Sequence, residues 1–178
     1  VIGGSQGASI FSKIVPSAIL ALPKALSQRL TVYHQARPED YKFLTSYYKR
    51  ISVNAQIKCF FENIDELIVK SHVVIARAGA STISELTVIG RPSILIPLPS
   101  AMKDHQTLNS KSLSDAGGAI TLNQKNLTTE MLTKELKSLL FDNGRAKKMA
   151  KEALRYGKPL AAKCLADRVE NLYLRLKK

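Results

Sequence analysis

A chain of 178 residues, 45% hydrophobic and 23% charged, is long enough to bury one core, and no apolar run approaches the roughly 20 residues that cross a bilayer. Its 27 Lys and Arg against 14 Asp and Glu leave a net charge of +13, spread over 42–50, 145–151 and 175–178 at outward helix positions; this reads as a solvated basic surface or as one for an anionic partner, membrane ahead of nucleic acid, since there is no Trp and no aromatic–basic interleaving. Cys59 and Cys164 stand far apart and outside any Cys/His spacing, which argues against a structural zinc and a disulfide framework.

The chain opens VIGGSQGA, two apolar residues running straight into a glycine turn, which reads as a strand already under way. Short apolar strands then alternate with helical periodicities. Strands are expected at 1–2, 30–34, 57–61, 73–76, 93–96 and 119–122, with helices between them at 8–22, 39–49, 64–70, 82–89 and 106–115. Pro16 is expected to kink or divide the first helix. From Thr128 the pattern is helical only, at 130–140, 144–154 and 160–176, as expected of helices packing over the edge of a finished sheet. The fold class is therefore α/β: a Rossmann-like parallel sheet with helices on both faces and extra C-terminal helices.

In such sheets a ligand binds beyond the carboxyl ends of the strands, and three loops fall there. The first, Gly3-Gly4-Ser5-Gln6-Gly7-Ala8, can bring backbone N–H groups and a helix N-terminus to an anion; it is not a Walker A loop, and a tight turn with a capping Ser is the plainer alternative. The second, Arg77 to Leu86, brings small residues to another helix start. There Thr82-x-x-Glu85 reads equally as a capping box or as a carboxylate placed for the vicinal hydroxyls of a ribose. In the third, Pro97 to Asn109, Asp104 can cap a helix whose first turns carry Gln106 and Asn109, amides suited to sugar hydroxyls or else plain polar surface. Taken together the loops point to a ligand combining phosphate, ribose and sugar.

In this order, GGSQGA, RAGASTISEL and DHQTLN make nearly the whole chain resemble the carboxyl-terminal half of the bacterial glycosyltransferases that add N-acetylglucosamine to undecaprenyl-pyrophosphoryl-N-acetylmuramyl-pentapeptide, converting lipid I to lipid II. The resemblance implies a GT-B architecture, of which residues 1–178 would be the second, donor-binding domain. The first strand would be truncated, the amino-terminal acceptor domain absent with its catalytic base, and the chain alone inactive. It implies that Ser5 and Gln6 contact the diphosphate of UDP-N-acetylglucosamine together with the backbone of Ala80, Ser81 and Thr82. Phe60 would cap the uracil site while the backbone of Phe61 reads the base; two core aromatics are the alternative. Glu85 would hold the ribose, and Gln106 and Asn109 would orient the N-acetylglucosamine, His105 standing where some members have a second Gln.

No Asp-x-Asp lies near these loops, so no metal and no cofactor is expected, and the departing UDP would be stabilised by helix N-termini and backbone donors. The expected setting is peripheral, on the cytoplasmic face of the bacterial plasma membrane, with lipid I reaching the enzyme through the other domain. Rival readings are another GT-B enzyme, such as a nucleotide-sugar epimerase or a glycolipid glycosyltransferase, and a non-enzymatic basic module that binds nucleic acid.

Overall fold

The computed structural model describes residues 1–4, 7–99 and 104–176, with side chains described as far as residue 174. In chain order the elements are α1 (Ser9–Leu20), α2 (Lys24–Ser27), β1 (Thr31–Gln35), α3 (Pro38–Arg50), β2 (Asn54–Lys58), α4 (Ile64–Lys70), β3 (Val74–Ala76), α5 (Ala80–Ile89), β4 (Ser93–Leu95), α6 (His105–Asp115), β5 (Ile120–Thr121), α7 (Thr129–Phe141), α8 (Asn143–Tyr156) and α9 (Ala161–Leu176).

All strand pairs are parallel: β1 with β2, and β3 with β4 and β5. Val1 and Ile2 join the two groups. The Val1 amine donates to the Tyr33 carbonyl (2.7 Å) and the Gln35 N–H to the Val1 carbonyl; on the other side the Ile2 N–H donates to Ile75 and the Arg77 N–H to Ile2. The result is one sheet in the order β2-β1-(1–2)-β3-β4-β5. Its order reverses between the 1–2 segment and β3.

Side chains alternate across this sheet as a period of two requires. Ile75, Ile94 and Ile96 enter the core beneath α1, α3 and α7, with Phe11, Val15, Leu44, Tyr48, Leu132 and Leu136. Val74, Ala76 and Leu95 enter a second core with Ile68, Ile83, Leu86 and Leu113, under α4, α5 and α6. Both faces are covered, as expected of parallel strands that read as short apolar runs.

Four expectations need correction. β2 ends at Lys58, so Phe60 and Phe61 lie in the loop after it; this edge strand alternates between exposed and half-buried positions, and the apolar run that suggested a strand begins only as pairing stops. Pro16 does not divide α1, because Val15, Ala18 and Ile19 around it are buried and tertiary packing holds the turn together; the break comes at Pro23 instead. α5 begins at Ala80 with Gly79 as its N-cap, one turn earlier than a capping box on Thr82 requires, so Glu85 caps nothing. The last helices do not all pack: α7 lies on α1 and α8 on α5 and α7, but every described side chain of α9 is exposed, including Leu165, Val169 and Leu172 along one stripe.

Candidate functional site

The site assembles at the carboxyl rim, on both sides of the point where strand order reverses. Leaving the 1–2 segment, the chain turns through Gly4 and Gly7 with φ of 82° and 68°, closed by a Gly7 N–H bond to the Gly4 carbonyl (3.0 Å). Gly3 is required for a different reason: a Cβ there would sit 2.5 Å from the Ala8 nitrogen. α1 follows with no side-chain cap and no acid in its first turn. Ser5 and Gln6, the side chains expected at the diphosphate, lie outside the described residues.

Across the reversal, β3 runs into Arg77-Ala78-Gly79 and α5, which also starts without a side-chain cap or an acid in its first turn. Ala80, Ser81 and Thr82 occupy that first turn, and among the described residues their N–H groups have no acceptor, as the opening of a helix leaves them. Three backbone donors thus face outward from a positive helix end.

Glu85 stands one turn beyond Ser81 and Thr82 on the same side of α5. It is half-buried and makes no hydrogen bond or ion pair among the described residues. Burial first, and then the charge of Asp65 at the start of α4, push its carboxyl above the usual glutamate value. The loop of Phe60 and Phe61 leads into α4, which packs on α5. In that loop Phe60 is 66% exposed, whereas Phe61 is 5% exposed and meets Tyr33 edge-on at 6.5 Å. The pair is divided: one ring is offered to solvent at the rim, the other belongs to the core.

Gln106 and Asn109 are brought to this rim, but their amides are turned on the protein itself. Gln106 Oε1 accepts from the N–H groups of Ala78 (3.3 Å) and Leu98 (3.0 Å), and Asn109 Nδ2 donates to the Ala78 carbonyl (3.1 Å). These partners fix which end of each amide is oxygen. The two side chains therefore hold both sides of Ala78 and tie the second loop to the third, and among the described residues Gln106 Nε2 and Asn109 Oδ1 have no partner. Asp104 sits at the N-cap position of α6 with φ of 53°, and its side chain makes no capping bond. Beside it, a cavity of about 300 Å³ opens among Pro97, Pro99, Thr107, Thr121 and Lys125.

Two residues that carried no assigned role in the sequence reading shape the same rim. Arg77 is 8% exposed; its Nη1 donates to the carbonyls of Ile96 and Pro97, and its guanidinium lies 5.0 Å over the Phe11 ring. No carboxylate pairs with it among the described residues, so its charge adds to the positive field of the two helix starts. Gln35, the last residue of β1, is 5% exposed and reaches into the first loop. The signal for both was a polar residue at the end of a buried strand, where a side chain has nothing but rim backbone to meet.

Strand order and two covered faces define a doubly wound, Rossmann-type α/β domain, a class whose ligands bind at the carboxyl rim beside the reversal. Residues 1–165 match the Glycosyltransferase family 28 C-terminal domain, and the chain belongs to that family. It is 42% identical over 172 residues to the UDP-N-acetylglucosamine--N-acetylmuramyl-(pentapeptide) pyrophosphoryl-undecaprenol N-acetylglucosamine transferase of Paramagnetospirillum magneticum, covering 97% of this chain and 46% of that protein. The protein of the same description from Rhodospirillum centenum is 44% identical over 169 residues, covering 95% and 45%. Among solved structures, Acinetobacter baumannii MurG superposes with a TM-score of 0.84 at 28% identity, over 96% of this chain and 48% of that one. Spinosyn forosaminyltransferase SpnP, at 17% identity and a TM-score of 0.52 over 85% of this chain and 46% of its own, shares the fold. The chain spans about half the length of the curated relatives it matches. Its architecture is that of the second domain of a GT-B glycosyltransferase.

Proposed function

We propose that this chain is the donor-binding domain of a transferase that moves N-acetylglucosamine from UDP-N-acetylglucosamine to lipid I, giving lipid II. The observation that carries the reading is that α1 and α5 start on either side of the strand reversal with neither cap nor acid, in a chain closely similar to transferases of that description. A diphosphate is the ligand that suits best two open helix starts and a nearby Arg77 that no described carboxylate pairs.

Under this reading the N–H groups of Ala80, Ser81 and Thr82, with Ser5 and Gln6, hold the diphosphate. The Phe60 ring covers the uracil, which the Phe61 backbone reads. The Glu85 carboxylate accepts from both ribose hydroxyls, using lone pairs that nothing described in the protein occupies. Gln106 Nε2 and Asn109 Oδ1 meet the N-acetylglucosamine ring.

In an inverting transfer the acceptor oxygen attacks the anomeric carbon from one face while UDP leaves from the other. Negative charge then grows on the β-phosphate, where the fixed donors of α5 and the first loop need no reorganisation to meet it. Each helix end contributes about 0.3–2 kcal/mol, depending on burial. The acceptor, its base and lipid I belong in this reading to a second domain, towards which the exposed stripe of α9 is free to reach. The basic surface suits the anionic inner face of the plasma membrane, each Lys or Arg near it gaining about 1 kcal/mol. No described helix is long and apolar enough to cross a membrane.

Calorimetry of the chain with UDP-N-acetylglucosamine and with UDP-glucose tests the reading. The expected result is saturable binding that prefers the N-acetyl sugar, without product when lipid I is added to this chain alone. Steeply salt-dependent RNA binding that UDP fails to displace would replace the reading with a nucleic-acid module.

A further inference from the structure

We infer that Gln35 is the positioning residue of the diphosphate loop, one side-chain amide that sets the path of Gly3 and Gly4 and locks it to the turn before Phe60. Gln35 Oε1 accepts from the Gly3 N–H (3.1 Å), while Nε2 donates to the Gly4 carbonyl (2.8 Å) and to the Cys59 carbonyl (3.3 Å). Both amide hydrogens are used, and the acceptor end is engaged. The Gln35 backbone is itself tied down, its N–H donating to the Val1 carbonyl within the sheet. The inference rests on the donor reading above and adds the part that prepares the anion site.

The need for such a clamp follows from the loop's composition. Glycines give the backbone its close approach to an anion but supply no side chain to hold it, and they have more conformational freedom to lose than any other residue. A loop of this kind stabilises a growing charge only when its donors stand in place beforehand. Gln35 does this from inside the rim for Gly3 and Gly4, which have no side chain of their own.

The chemistry at position 35 is narrow. An Asn is one methylene short of the span. A Glu keeps the acceptor for Gly3 but, when ionised, turns a carboxylate on the Gly4 and Cys59 carbonyls, and a Met of similar volume leaves all three backbone groups without this partner, the Gly3 N–H in a buried place and the two carbonyls in part-buried ones. Across the strand reversal Gln106 and Asn109 grip Ala78 in a comparable way, so each side of the reversal is held by side-chain amides bonded to backbone.

The test uses the 178-residue chain and Gln35→Met, titrated with UDP and, separately, with uridine. UDP affinity is expected to fall about tenfold or more and uridine affinity less than about threefold, the loss that one or two unmade hydrogen bonds at the diphosphate loop convert to. Amide exchange at Gly3 should accelerate about tenfold while Ile75 and Leu95 in the sheet keep their protection. Equal losses for both ligands would make Gln35 a general support of the fold and overturn the inference, as would unchanged UDP affinity. Should Gln35→Met unfold, Gln35→Asn, neutral but one methylene short of the span, gives the same ligand comparison under the same criteria. Failure of the parent chain to bind UDP would remove the donor reading and the diphosphate role with it; the Gly3 exchange rate still decides separately whether the clamp holds the loop.

Discussion

The helices that open at the strand reversal and the two, α7 and α8, that follow the last strand begin in opposite ways. α7 starts with Thr128 Oγ1 accepting from the Met131 N–H (3.2 Å) and has Glu130 in its first turn; α8 starts with Asp142 Oδ1 accepting from the Arg145 N–H (2.9 Å). α1 and α5 have neither device. A side-chain cap is worth about 1 kcal/mol, and an acid near a helix start a further few tenths, so two rim helices forgo stability that the closing helices take. The same omission leaves N–H groups and positive potential open to an anion. Stability and binding compete for the same backbone donors, and the two regions settle that competition differently.

Glu85→Gln is expected to have the largest effect on binding. A half-buried carboxylate without a partner of its own is suited to ribose hydroxyls, and its loss should weaken UDP-N-acetylglucosamine by roughly 10- to 100-fold, as measured by calorimetry. The pH dependence has a fixed sign. Because the folded-state value of Glu85 is raised, donor affinity should begin to fall at a higher pH than an ordinary glutamate would give. The same shift means that the folded chain binds this proton more tightly than the unfolded one; Glu85 therefore favours the fold in acid and loses that contribution as pH rises through its raised value. Glu85→Gln should accordingly leave the melting temperature at neutral pH unchanged or slightly higher.

Ser81→Asp puts into α5 the charge that α7 already carries in its first turn. UDP affinity should drop by about 3- to 30-fold through repulsion of the diphosphate, while the melting temperature rises slightly from the helix-end interaction. Parallel losses of binding and stability would break the comparison. The smallest effect on binding is expected from Thr128→Ala, which should cost about 1 kcal/mol in denaturant unfolding and leave UDP affinity untouched.

Much of the site was legible because its parts are local. Glycines after the 1–2 segment and small residues after β3 follow a strand directly, the amides stand on the next helix after β4, and a parallel sheet puts every such connection on one rim. Glu85 carried two open readings, and the position of the helix start removes one of them: the cap is Gly79, too far upstream for Glu85 to serve it. β2 was misplaced because an edge strand covered on one face shows weak alternation, while Phe60 and Phe61 mimic a buried run.

By itself, then, the order of residues determined the alternation of strands and helices, the two covered faces and the rim on which chemistry could gather, since periodicity and turn composition act over a few neighbouring positions. Which polar side chains would face a ligand and which would grip the protein was decided by tertiary structure alone. Gln35 meets Gly3 across 32 positions, and Asn109 meets Ala78 across 31. An amide offers the same donors and acceptor in any sequence context, and its role is set only when folding brings an unpaired backbone group within reach.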